Sequence, residues 1–237
     1  AAVALRELVE VLSADEATRT ALTGSLAAPD PVARVAVLDV LRALRLGDAG
    51  TFVGACSDED PRVRLQGVRG LVSLDDVPGV ARAGGDPARE VRVAVAHGLG
   101  TIGHAEAAVP LIGLAGDSEP LVRAAALEAS AGLSGVEELW RLAAAGLDAP
   151  EWQVRVGAAR GLAAAPAEVA VPPLASAVED PHADVRKAAV ITVAGWADRP
   201  DVAEALERAS KDTDADVRGY ARRALPPAVR KQSVSRR

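Results

Sequence analysis

Apolar residues recur along this chain at steps of three and four, in segments separated by short polar turns. The stretch VRVAVAHGLGTI shows the pattern: Val91, Ala94, Val95, Gly98, Leu99 and Ile102 fall on one face of a helix turning every 3.6 residues. A second kind of segment alternates with the first, as in AEAAVPLIGLAG (105–116) and DVAEALERAS (201–210). Gly103, Gly135, Pro166 and Pro200 stand between segments, where breaker residues stop helices. The pattern predicts pairs of short helices. One such pair cannot bury its apolar stripes alone, so neighbouring pairs must stack.

An arginine marks the repeat. Arg34, Arg64, Arg92, Arg123, Arg155, Arg186 and Arg218 follow one another at intervals of 30, 28, 31, 32, 31 and 32 residues, each directly after an apolar residue. Six residues ahead of five of them stands an aspartate: Asp58, Asp86, Asp117, Asp180 and Asp212. A carboxylate in such a turn can accept backbone N–H groups at a helix start, and Pro61, Pro87, Pro120 and Pro181 are tolerated there because first-turn amides have no intrahelical partner. Val63, Val91, Val122, Val154, Val185 and Val217 are the expected core plugs. The arginines lie close to the turn aspartate of their own or the adjacent repeat. A ladder of Asp58, Arg64, Asp86, Arg92, Asp117, Arg123, Arg155, Asp180, Arg186, Asp212 and Arg218 along the stack is therefore expected.

Two turns depart from the pattern. Ahead of Arg34 the aspartate position holds Ala28 and the turn DPVAR reads as shortened, while DAPEWQVR ahead of Arg155 reads as one residue longer. Local irregularity is expected at both. Leu5, Arg6, Leu8, Val9 and Leu12 repeat the apolar spacing 28 residues before the Arg34 segment, so the chain is expected to open inside a repeat. The organisation read from this is a single solenoid over 1–227 followed by a basic tail, 228–237.

Composition narrows the chemistry. Of 237 residues 49% are hydrophobic, yet there are only one Phe, one Tyr and three Trp, which suits closely approaching helices and not aromatic-lined pockets. The net charge is −6, and Arg230, Lys231, Arg236 and Arg237 of the tail make the remaining body more acidic still, which argues against a nucleic-acid partner. No apolar run is long enough to span a membrane, and AAVALRELVE lacks a secretory pattern. The lone Cys56 excludes an internal disulfide and fits a reducing, cytoplasmic compartment; in AGTFVGAC it reads as a packed, inert thiol. Abundant Ala, Val, Gly, Arg and Asp with little Lys points to a GC-rich bacterial genome.

The D-x-x-x-x-V-R pattern opening an Ala-rich helix, with Gly98-Leu99-Gly100, Val109-Pro110-Leu111-Ile112 and Val171-Pro172-Pro173-Leu174, resembles HEAT repeats. It is most similar to the short HEAT-like units of phycobilisome lyase subunits. The ankyrin and tetratricopeptide signatures are absent. The resemblance implies an all-α, right-handed α-α superhelix of about eight two-helix repeats. It also implies that the Val-Arg helices line the concave face, so positions five residues beyond each marker face the groove: Asp39, Arg69, His97, Glu128, Arg160, Ile191 and Arg223. Lys187 joins them as a position that varies between repeats. Their mixed charge suits a protein or peptide partner, and a non-catalytic scaffold without cofactor, metal or catalytic residues is the reading that follows.

Three enzymatic relatives fit less well. Deoxyhypusine hydroxylase has a similar architecture and holds di-iron with His-Glu pairs, but Gly98 follows His97, and His104 and His182 have no Glu beside them. AlkD-like DNA glycosylases carry Trp and Asp in a basic groove; here Trp196 falls in the slot of Leu44, Leu74, Ile102 and Leu133 and is expected in the core, while Trp140 and Trp152 share no face with it. A bilin lyase-like role has no residue-specific support, and no phosphate loop, nucleophile elbow or H-E-x-x-H occurs.

Overall fold

The structure is a computed structural model that describes residues 12–225. The opening half-repeat and the basic tail expected at 228–237 lie outside the described residues. Within them the chain forms fourteen α-helices and no strand. The contacts divide it into two units, with the boundary between Ala107 and Ala108, where the sequence alone reads as one solenoid.

The first unit contains α1 (Glu16–Gly24), α2 (Pro31–Ala43), α3 (Ala49–Ala55), α4 (Pro61–Val72), α5 (Val77–Arg82) and α6 (Arg89–Ile102). Here the Val-Arg helices α2, α4 and α6 stack in sequence order, while α3 and α5 lie against α4. The second unit contains α7 (Ala108–Ala115), α8 (Pro120–Ala129), α9 (Glu137–Gly146), α10 (Trp152–Gly161), α11 (Ala167–Ala177), α12 (Ala183–Val193), α13 (Pro200–Ala209) and α14 (Ala215–Ala224). Its even-numbered helices form one layer, and α7, α9, α11 and α13 form a second against it. This alternation is an α-α solenoid.

Local chemistry explains the boundaries. Asp30, Asp48, Asp60 and Asp214 are N-cap residues whose carboxylates accept amides of the first helical turn at 2.8–3.0 Å. Pro61 and Pro120 occupy first helical positions, whereas Pro87 and Pro181 lie in the turns before the caps. At the end of α6 the chain turns through a left-handed residue, Gly103 at φ 68°, a conformation that costs glycine nothing.

All six valines of the Val-Arg pairs are buried, as are Leu41, Phe52, Leu71, Leu99, Leu139, Leu162 and Leu206. The scarcity of aromatic residues corresponds to close helix approach. A Cβ at Gly157 would overlap the Ala124 carbonyl, and one at Gly161 would overlap that of Leu127, so α10 rides directly on the backbone of α8. Fully buried Ser130 donates to the Leu127 carbonyl at 2.6 Å beside this contact. The slot expected to be core at Trp196 is not uniform. Leu133 is buried, Ile102 and Trp196 are half-buried and Leu74 is exposed.

The two irregular turns are regular in space. Arg34 donates to the carbonyls of Ala28 and Pro29 and Arg155 to those of Ala149 and Pro150, the same positions, six and five residues back, that Arg64 and Arg186 use. Neither turn is shortened or lengthened. An alanine stands in the aspartate slot of each, and the neighbouring Asp30 and Asp148 had suggested a shift.

Candidate functional site

Two features stand on the Val-Arg helices: a polar ladder at their N-terminal ends, and in the first unit an open groove along their exposed faces. In the ladder, Arg64 divides its donors between two repeats. Nη1 of Arg64 binds the carbonyls of Asp58 and Glu59 in its own turn at 3.0 and 3.1 Å, while Nε and Nη2 grip the carboxylate of Asp86 in the next turn at 2.6 and 2.9 Å. Arg34 with Asp58, Arg155 with Asp180 and Arg186 with Asp212 do the same. Arg92, Arg123 and Arg218 likewise hold their own turn carbonyls. The repeated aspartate is not the N-cap. It accepts the amide two residues on, which is the cap residue itself, as Ala88 donates to Asp86 at 2.8 Å and His182 to Asp180 at 2.7 Å; Asp117 accepts Glu119 in the same way.

This wiring sets the electrostatics. The Arg34 guanidinium holds Asp58 below the ordinary carboxylate range, and Arg186 does so for Asp212, in each case against the opposing effect of burial. For Asp86 and Asp180 burial is the largest influence and raises the pKa, but the paired arginine and the turn amide together outweigh it and the net shift is downward. The arginines are correspondingly held in their charged form. One rung differs. Ala149 offers no carboxylate to Arg123, which makes an ion pair with Glu151 at 3.0 Å, without the aligned hydrogen bonds of the other rungs.

The groove of the first unit has a volume of about 640 Å³ between α4 and α6, with the end of α2 beside it. Leu65, Val68, Val72, Val93 and Ala94 form its apolar floor, and Arg42, Arg69, Glu90, His97 and Thr101 its polar rim. Arg69 and His97 were expected here; Asp39 reaches it through a polar link. Gln66 is 94% buried, and with its amide turned to satisfy both ends it donates to Asp39 at 3.1 Å and accepts from Arg69 at 3.2 Å. Arg42 donates to the same Asp39 oxygen at 3.0 Å.

In the second unit the same row carries Glu128 and Arg160, which pair across α8 and α10 at 3.1 Å, the exposed Ile191 on α12, and Arg223 stacked 4.6 Å over the Tyr220 ring. Lys187 lies nearer the ladder end, between Asp216 at 3.1 Å and Asp184 at 3.7 Å. Counting five residues past each arginine missed Arg42, Gln66, Leu65, Val93 and Thr101. Steps of three and four from Asp39, Arg69 and His97 reach all five. It also missed the stack of Trp152 on His182, 4.1 Å apart and within 4° of parallel, made by the first helical residue of α10 and the cap of α12.

The remaining candidates are placed elsewhere. Trp140 and Trp196 pack against the core of the second unit. Cys56 is half-buried against Gly67, and burial, with Asp86 nearby, pushes its thiol up to about 11. Among the described residues no three His, Cys, Asp or Glu side chains converge as metal ligands, and no helix is long and apolar enough to cross a membrane.

A stack of helix pairs held by a buried Arg-Asp ladder defines the class: an α-α repeat solenoid. The model of the HEAT repeats matches residues 80–145 and 141–226, more than half of the chain, and the chain belongs to that family. Among solved structures it is similar to an engineered protein (19% identity, 92% of this chain and 69% of that one, TM-score 0.55). It is equally similar to the complex of CpcE and CpcF of phycocyanin lyase from Nostoc sp. (19%, 91% and 98%, TM-score 0.55). A designed armadillo repeat protein in complex with the peptide (KR)4 follows at 18%, 89% and 98%, with a TM-score of 0.51. At these identities the likeness is one of fold. No curated protein matches the chain.

Proposed function

We propose that this chain is a non-catalytic scaffold that receives a protein or peptide along the exposed face of its Val-Arg helices. The observation that carries the reading is the groove of the first unit, where an open apolar floor is rimmed by polar groups already held in place by Gln66 and Asp39. Apolar floor with a fixed polar rim is the arrangement by which surfaces recognise polypeptides. Two of the similar structures support it as fold precedents, one a complex with a peptide and one a complex of two chains. The repeated Asp and Arg do not enter as acid and base, because each is engaged in the ladder.

A DNA-glycosylase reading is less well supported, since Trp140 and Trp196 pack inward. The likeness to a lyase complex carries fold and no chemistry. A reducing, cytoplasmic setting goes with the unpaired Cys56.

The test is site-specific photo-crosslinking in native lysate. A photoreactive residue at Arg69 or Thr101 should capture another polypeptide, and one at exposed Val53 or Val109 on the other helix series should not. Capture only from Val53 and Val109, or of nucleic acid from Arg69, would sink the reading.

A further inference from the structure

The polar rim of the first groove is unbalanced. Arg42 and Arg69 share one carboxylate, Asp39, which reaches Arg69 only through the neutral amide of Gln66. Arg42 keeps its Nε buried without an acceptor, and Arg69 is exposed beside Val68 and Val72 of the floor. The only other carboxylate on the rim, Glu90, is paired with Arg89 at 3.0 Å on α6. At the α2–α4 side the groove therefore presents two guanidinium groups against one carboxylate, next to an apolar floor.

Resting on the scaffold reading above, we infer that this groove selects an extended peptide in which an acidic side chain neighbours an aliphatic one. The carboxylate docks on Arg69, whose planar fork matches it, and the aliphatic side chain lies over the partly exposed Leu65, Val72 and Val93. Gln66 and Asp39 hold Arg69 in place before the peptide arrives, which reduces the ordering cost of binding. The polarity is the reverse of what a Lys- or Arg-rich peptide requires.

Three fluorescein-labelled decapeptides test this on the full chain by anisotropy: GEELLEELLG, and the same peptide with Gln or Lys replacing Glu. The Glu peptide should bind about 5- to 10-fold more tightly than the Gln peptide, the gain expected of a partly exposed charge-assisted pair. That preference should shrink as salt is raised from 50 to 300 mM. Arg69→Glu, at an exposed position where folding is checked by circular dichroism, should reverse the order in favour of the Lys peptide. Arg69→Gln should abolish the preference and leave residual binding to the floor. Equal binding of all three peptides by the wild type and by Arg69→Glu alike, or a wild-type preference for the Lys peptide, overturns the acidic-partner inference but leaves a peptide-binding groove. Absence of binding by every peptide, with no groove crosslinks from Arg69 or Thr101, removes both readings.

Discussion

Replacing Arg64 by alanine tests whether the ladder is a structural joint or a row of surface ion pairs. The side chain is 12% exposed and its partner Asp86 5% exposed. Four hydrogen bonds leave with the guanidinium: two to the Asp86 carboxylate and one each to the carbonyls of Asp58 and Glu59. Asp86 is left as a buried anion with a single amide donor, from Ala88. Stranding one member of a buried pair costs about 3–5 kcal/mol, and the residual exposure of Arg64 places the expected loss near the lower end, about 3 kcal/mol. Were the pair an ordinary surface one, the loss would be at most about 1 kcal/mol. Urea unfolding followed by circular dichroism gives the total. Hydrogen exchange localises it, since α4 and α6 should lose protection first in a stack where each layer contacts only its neighbours. Arg64→Lys should recover less than half, because an ammonium cannot grip the carboxylate with two parallel bonds and still reach two carbonyls. A double-mutant cycle with Asp86→Ala should show a coupling above about 1 kcal/mol. A loss under 1 kcal/mol with zero coupling would refute the joint.

Other consequences follow from the same geometry. Asp58, Asp86, Asp180 and Asp212 have folded-state pKa values below the unfolded value of about 3.9, so their stabilisation is complete above about pH 4 and is lost as pH falls through the lowered values. Urea midpoints should therefore change little on their account from pH 7 to 5 and drop below pH 4, and Asp86→Asn with Asp180→Asn should flatten that drop; an unchanged slope speaks against the assignment. Gly161→Ala should destabilise by roughly 1–3 kcal/mol, since the new methyl meets the Leu127 carbonyl and lies 2.7 Å from Ser130 Oγ. Gly54→Ala, in open space on α3, should stabilise by about 0.5–1 kcal/mol, and thermal melts of the two variants compared with wild type decide it. With its thiol pushed up to about 11, Cys56 should react with a disulfide reagent at pH 8 on the order of 100-fold more slowly than free cysteine, and should speed up in urea; fast labelling of the folded chain would contradict the packing.

The helix pairs, the repeat period and the recurrence of Arg and Asp at the turns were legible in the sequence. Apolar steps of three and four, turn residues and breaker residues act within one helix or one turn, and each repeat states them again. Seven recurrences of the marker arginine also separated structural residues from candidates for chemistry, because an acid or base needed once would not stand in every turn.

What the tertiary structure alone decided concerns partners 22 to 32 residues apart. Periodicity shows that Arg64 is near two aspartates. Only stacking determines that it takes the side chain of Asp86 and the main chain of Asp58. The sequence makes the turns before Arg34 and Arg155 look irregular, yet the arginine reaches the same two carbonyls in each, and the backbone path is held by those bonds regardless of the missing carboxylate. Gln66 resembles any polar helix residue until α2 is laid beside α4, when it becomes the link between Asp39 and Arg69. Spacing along one helix carries no information about the offset between adjacent helices. That offset is set by the packing of Val, Leu and Gly surfaces, and it determines which polar groups meet in the ladder and in the groove.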